Sequence, residues 1–188
     1  MASPDVRTRT LDAADRLFYS DGIAVTGVDA VAREAGVSVV TLYKYFGSKD
    51  RLVAAVLSRR LETWDEVWRA EAESTDDPRG KVLAIFDAVT VFRAQVEPTQ
   101  WCSFLATASE RPVADDEPAD LVSRDNTLLE ERLRGYAEVA DPGRADLVVA
   151  TVLLVYNGVL CSLLRGAPED PAPLARRTVA AALGWEGV

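Results

Sequence analysis

The stretch Val37-Ser38-Val39-Val40-Thr41-Leu42-Tyr43-Lys44-Tyr45-Phe46 follows Glu34-Ala35-Gly36 and precedes Gly47-Ser48-Lys49-Asp50. Residues 32–36 read as the end of one short helix and residues 38–46 as a second, with Gly36 in the tight turn between them. Ser38 is a natural N-cap, because its hydroxyl accepts from a backbone amide in the first helical turn. Leu42 and Phe46 are one helical turn apart and share an inward face. That leaves Val39, Val40, Thr41, Tyr43, Lys44 and Tyr45 toward the open side. Two helices joined by such a turn form a helix-turn-helix, whose second helix lies in the DNA major groove.

Working outward, residues 5–21 read as a preceding helix with Val6, Ala13, Ala14, Leu17 and Phe18 on one face. Gly22 suits the position after a helix end. Thr26-Gly27-Val28-Asp29 resembles a capping box with Asp in the last place, and it predicts the start of the middle helix. Gly47 then breaks the third helix, and Ser48 caps a long fourth one over 49–73, whose seam is Leu52, Val53, Val56, Leu57, Leu61, Trp64 and Trp68. Further helices are predicted around Pro78, over 99–110, 120–139 and 145–164, and over 174–183, which Gly184 stops. A polar loop is predicted over 112–118. No stretch of useful length alternates with period two, so the fold class is all-α. The predicted division is a three-helix DNA-binding domain over 1–48 and a helical domain over 49–188, with 49–74 as the linking helix.

Composition narrows the chemistry. The chain has 188 residues, no histidine and two cysteines, Cys102 and Cys161. His-based acid–base catalysis, triads and metal sites are excluded. No Cys pair has metal spacing, so no metal or cofactor is expected, and both cysteines read as small buried hydrophobes of a reduced, cytoplasmic protein. No constellation supports an enzyme. The net charge of −9 is unevenly spread. Residues 1–60 carry nine Lys/Arg against seven Asp/Glu, and the remainder twelve against twenty-three. The positive balance therefore sits with the helix-turn-helix. Residues 145–164 approach membrane-spanning length but hold Asp146, Thr151 and Asn157, with Arg144 and Arg165 flanking. They read as a buried helix rather than a membrane span. The start of the chain lacks the pattern of a signal peptide.

On the third helix, Tyr43, Lys44 and Tyr45 suit phosphate contacts, and Thr41, Val39 and Val40 suit base edges. Valine and threonine methyls fit against the thymine methyl. Such contacts discriminate less than a bidentate Arg or Asn, which leaves part of the readout to DNA shape. Lys49, beside the free amides at the start of the fourth helix, is another phosphate candidate.

These residues carry a resemblance. Ala13-Ala14, Leu17-Phe18, Gly22, Thr26, Val31-Ala32, Ala35-Gly36-Val37-Ser38, Thr41-Leu42-Tyr43, Tyr45-Phe46, Ser48-Lys49-Asp50 and Leu52 are similar to the TetR family of transcriptional regulators. The resemblance implies a homodimer, a helical regulatory domain, and repression of a palindromic operator on double-stranded DNA that a small molecule relieves. By position it assigns DNA contact to Thr26, Ser38, Val39, Val40, Thr41, Tyr43, Lys44, Tyr45 and Lys49. Val39-Val40 stands where the family often has a polar residue and glycine, and Thr10 where Ile or Leu is common.

The second half is less specific. Trp64, Trp68, Phe86, Phe92, Trp101, Phe104 and Tyr136 are candidates either for the wall of an effector cavity or for plain core. Such a wall predicts a largely apolar ligand. Val148, Val152, Val155 and Val159, with Gly158 permitting close approach, mark the apolar helix as a dimer surface or as the centre of the subunit's own core. The competing function is a dimeric small-molecule-binding module without sequence-specific DNA binding.

Overall fold

The structure, a computed structural model, describes residues 5–96, 102–110 and 116–185. Among them every regular element is a helix: α1 (Val6–Ser20), α2 (Val28–Ala35), α3 (Val39–Phe46), α4 (Lys49–Glu73), α5 (Pro78–Gln95), α6 (Ser103–Glu110), α7 (Glu117–Ala140), a 3-10 turn at Pro142–Arg144, α8 (Ala145–Arg165) and α9 (Pro171–Leu183). The all-α expectation holds. Three helix starts differ from those expected, each for a local reason. α2 is capped by Gly27 without a side-chain bond. Thr26 does not cap it, because its hydroxyl donates back to the Gly22 carbonyl at 2.7 Å. α7 begins earlier because Asp116 accepts from the Ala119 amide at 3.1 Å and so acts as its cap. α9 begins at Pro171, since proline in a first helical turn forfeits no intrahelical bond. The expected start of α6 at 99, and most of the loop over 112–118, lie outside the described residues.

The chain divides into two compact units, Met1–Leu61 with Glu97–Arg124, and Glu62–Val96 with Asp125–Val188. α4 and α7 each contribute one part to each unit, and α6 belongs with the helix-turn-helix.

In the first unit Leu11, Ala14, Phe18, Ile23, Val31, Leu42, Leu52, Val53, Val56 and Leu57 form the core. Within it lies a buried ion pair. The Asp15 carboxylate accepts from Arg60 Nε at 2.6 Å and from Arg59 at 3.2 Å. The Arg60 guanidinium also lies 5.1 Å over the Tyr19 ring. Arg59 reaches on to the exposed Asp12 at 2.6 Å. α6 is tied to the same unit. Glu110 accepts from the backbone amides of Ile23 at 3.1 Å and Ala24 at 2.7 Å, and Thr107 shares a hydrogen bond with Tyr19 at 3.3 Å.

In the second unit α5 is the central helix, with Val82, Leu83, Ala84, Ile85, Phe86, Ala88 and Val89 all buried. Asp77 caps it by accepting from the Arg79 and Gly80 amides, and Pro78 occupies its first turn. α8 and α9 pack on α5 and on each other. α8 is long and apolar enough to cross a membrane by length and composition, yet Val148, Val152, Tyr156 and Val159 pack inward against this helical core. Asp125 on α7 is 7% exposed, and burial pushes its carboxyl up to about 7.

Asp15→Ala leaves Arg60 without its carboxylate and should destabilise the protein by about 3–5 kcal/mol in urea unfolding. Asp12→Ala, at an exposed pair, should cost under about 1 kcal/mol. Asp125 titrates near 4 when unfolded, so its protonated form is favoured by folding, and its contribution is lost as pH rises from about 4 through about 7. The stability advantage of Asp125→Asn over the parent should therefore grow across that window and level off above it. A flat difference in thermal unfolding between pH 4.5 and 8 would contradict the burial effect.

Candidate functional site

The recognition-type helix is built from its ends. Gly36 closes α2 in the left-handed conformation at φ 66°, and Gly47 follows α3 at φ 78°, both backbone states that side chains disfavour. Between them Ser38 caps α3 by accepting from the Thr41 amide at 3.0 Å. Its hydroxyl also shares a 2.8 Å bond with that of Thr41. Leu42 and Phe46 are buried, at 0% and 7% exposure, and lock the helix to the first unit's core. Val40 stands out at 79% exposure, while Val39, Tyr43, Lys44 and Tyr45 are also exposed. One helix thus presents two methyl-bearing side chains, two phenols and an ammonium to solvent. That set can bond phosphates and touch thymine methyls.

Two residues assigned to DNA contact by resemblance are placed differently. Thr26 is buried, and its hydroxyl donates to the carbonyls of Gly22 and Leu17. It holds the turn before α2 and offers no free group outward. Lys49 folds back across the same turn. Its Nζ donates to the Ala24 carbonyl at 3.5 Å and lies 6.0 Å over the Phe18 ring. The first turn of α4 is capped by Ser48, whose hydroxyl accepts from the Arg51 amide at 3.1 Å.

Arg7 was missed by the motif. It is exposed in the first turn of α1, and its guanidinium lies 5.9 Å over Phe46, at the end of α3. Arg9 donates to the Ala35 carbonyl at 3.2 Å and so braces the end of α2. The signal available in the sequence was the pair of arginines in the first helix, which the hydrophobic pattern does not weigh.

In the second unit, Trp64 and Trp68 are buried and stack at 5.8 Å between ring centroids. Phe92 meets Trp64 edge-on at 5.5 Å. Tyr156, not anticipated from the sequence, completes the cluster at 6.0 Å from Trp64. Phe86 is fully buried on α5, and Tyr136 is half-buried on α7. Phe104 lies on α6 in the first unit, apart from this cluster in the division of the chain. Trp101 lies outside the described residues. An open depression of about 470 Å3 is lined by Arg134, Glu138 and residues 142–147, and none of the aromatic residues borders it.

On α8 the anticipated stripe faces inward. Val148, Val152 and Val159 are at most 2% exposed within their own unit, Val155 is partly covered, and only Gly158 is open. This corrects their assignment to a dimer surface: side chains consumed by the unit's core have no area left for a partner. The outward stripe lies one residue earlier, at Leu147, Thr151, Leu154, Gly158 and Cys161. Leu154 is 75% exposed. Cys161 is exposed, in contrast to the expectation of burial.

Residues 11–56 match the family model described as bacterial regulatory proteins, tetR family. Among curated proteins, the transcriptional regulator HbdR of Aromatoleum sp. is 29% identical over 131 residues, covering 68% of this chain and 56% of that one. The transcriptional activator FasR of Mycolicibacterium smegmatis is 30% identical over 141 residues, covering 68% of this chain and 64% of that one. The matched part thus spans less than two thirds of either relative. Among solved structures, the TetR-family regulator SCO4454 of Streptomyces coelicolor shares the fold with a TM-score of 0.86 at 23% identity, over 95% of this chain and 94% of that one. The capped α2–α3 pair thus lies in a segment, residues 11–56, that matches the tetR family of bacterial regulatory proteins, and the chain as a whole is similar to TetR-family regulators in sequence and in fold.

Proposed function

We propose that this protein is a cytoplasmic, homodimeric transcriptional repressor whose binding to a palindromic operator is controlled by a small, largely apolar ligand. The observation that carries the DNA-binding part is the exposed face of α3, where Val39, Val40, Tyr43, Lys44 and Tyr45 stand clear of a helix locked from behind by Leu42 and Phe46. Arg7 adds a cation beside the end of that helix. Lys49 and Thr26 act in this reading as supports of the α1–α2 turn.

A helix-turn-helix dimer reads two half-sites roughly 34–36 Å apart, so the pairing surface must be fixed. The outward stripe of α8, with the exposed Leu174, Thr178 and Ala181 of α9, supports that role. Its spacing alternates between three and four residues, as side chains meeting a second helix require. Gly158 leaves room for close approach, since nothing lies within 4 Å of an added Cβ. Ligand control has two routes in the chain. α4 runs covalently from Lys49, next to the reading helix, to Glu73. α6 grips the α1–α2 turn through Glu110. A ligand that binds one arrangement of these helices better than another shifts operator affinity by that difference.

Selection of genomic fragments on the purified protein at moderate salt should enrich a palindrome. Recovery of none would sink the operator reading and leave a ligand-binding dimer without sequence recognition. On the enriched site, Tyr43→Ala should weaken binding by roughly tenfold or more, if it bonds a phosphate. Lys44→Ala should weaken all sequences alike and reduce the salt slope by about one. For the dimer, Leu154→Glu should convert the protein to monomer in analytical ultracentrifugation and abolish palindrome binding, whereas an unchanged sedimentation coefficient would remove α8 from the interface.

A further inference from the structure

The start of α3 has little with which to read a base by hydrogen bonds. Its first-turn side chains are Val39, Val40, Thr41 and Leu42, and Leu42 is fully buried. In the cap and first turn only Ser38 and Thr41 carry polar side-chain atoms, and these are engaged with each other. Ser38 Oγ accepts from the Thr41 amide at 3.0 Å, and the two hydroxyls share a bond at 2.8 Å. No Arg, Asn, Gln, Asp or Glu stands between Val39 and Phe46. Those are side chains that pair with base edges through donors and acceptors.

What the first turn does present is hydrocarbon. Val40 is 79% exposed and Val39 36%. The unit's core does not use them, and valine is a poorer helix former than alanine or leucine, so local helix stability does not account for an adjacent pair on the open face. In a docked helix-turn-helix the N-terminal residues of the second helix are the ones that reach base edges. Tyr43 and Lys44 follow Val39 and Val40 by four residues, on the same side and about 5 Å further along the axis. A docking that brings the valine end to the bases leaves the phenol and the ammonium for phosphates beside the groove. Among the four bases the major groove displays one methyl group, on C5 of thymine. Cytosine lacks it, but 5-methylcytosine carries it at the same place. The two then differ in the adjoining group, an O4 acceptor in thymine and an N4 donor in cytosine. A valine has neither donor nor acceptor with which to tell them apart.

We propose that α3 recognises 5-methylpyrimidines as a class. Val39 and Val40 bind the methyl group of thymine and of 5-methylcytosine alike, so cytosine methylation inside a half-site creates a contact that unmodified cytosine does not give. The inference rests on the reading of α3 as the DNA-reading helix, and it names the base chemistry that this helix selects. The driving force is burial of a methyl group against a methyl-bearing side chain, which is proportional to the apolar area removed from water and indifferent to the base's hydrogen-bonding pattern.

The probe is the palindrome recovered by fragment selection, as labelled duplexes titrated with the full chain in fluorescence anisotropy. Each half-site thymine is replaced in turn by uracil, which removes the methyl group and leaves every hydrogen-bonding group in place. At one position or more, uracil should lower affinity about fourfold per substituted half-site, the worth of one buried methyl. Changing that pair to guanine–cytosine should lower affinity at least as far, and guanine–5-methylcytosine should return it to within about twofold of the thymine duplex, the remainder being DNA shape. Val39→Ala and Val40→Ala alter only the open face of α3, so both variants keep their fold. At least one of them should bring the thymine-to-uracil ratio to about one while still binding the duplex. Uracil tolerated at every position, 5-methylcytosine no better than cytosine, or a ratio unchanged in both variants overturns the proposal. The thymine duplex separates the two levels. Specific binding to it without methyl dependence refutes methyl reading alone, whereas recovery of no palindrome refutes the operator reading and methyl reading with it.

Discussion

The Asp15 carboxylate, buried between Arg59 and Arg60, is the constraint on which the first unit depends. Its partners on α4 are two guanidinium groups, so the register of α1 against α4 cannot slip without stranding a buried charge. Arg60 adds its contact with the Tyr19 ring, and Tyr19 in turn meets Thr107 on α6. Burial holds the Tyr19 phenol well above its usual range, so this group stays neutral beside the pair. A slip of one helical turn would break all of these at once. The apolar core around them tolerates small shifts; a buried ion pair does not.

From that fixed frame the reading helix inherits its precision. Leu42 and Phe46 dock α3 into the same core, and Gly36 and Gly47 bound it with backbone states that side chains disfavour. The exposed residues are then positioned by elements that do not themselves touch the open face. Glu110 extends the frame: one carboxylate holds two consecutive amides in the α1–α2 turn, from a helix some eighty residues away in sequence. The proposed route of ligand control follows from this economy, since any shift of α6 must be felt at that turn.

The helix-turn-helix was legible because its signals are local. A cap, a glycine turn and a one-turn apolar spacing act within a few residues of one another, and the backbone obeys them whatever surrounds it. The long helices were legible for a similar reason, with Asp77-Pro78 and Gly184 marking ends by backbone chemistry alone. Legibility failed where a side chain had to choose between a near and a distant partner. Thr26 looked like a cap, yet its hydroxyl found carbonyls behind it. Lys49 looked like a phosphate ligand, yet the Ala24 carbonyl and the Phe18 ring lie within its reach. Tyr156 gave no motif at all, because what defines it is the approach of Trp64 from another helix.

The sequence by itself determined the helices, their caps and turns, and the period of each apolar seam, since these follow from backbone geometry and residues three or four apart. Only the tertiary structure decided which seam is spent. On α8 two stripes one residue apart have the same three-and-four spacing, Val148-Val152-Val155-Val159 and Leu147-Thr151-Leu154-Gly158-Cys161. Periodicity cannot rank them, because a rotation of one residue moves the helix face by only about 100°. Packing against α5 and α9 ranks them: the valines fill the unit's own core, and Leu154 is left outside it. Asp125 is the same lesson in charge. Its residue type was visible, but its burial is a property of everything folded around it.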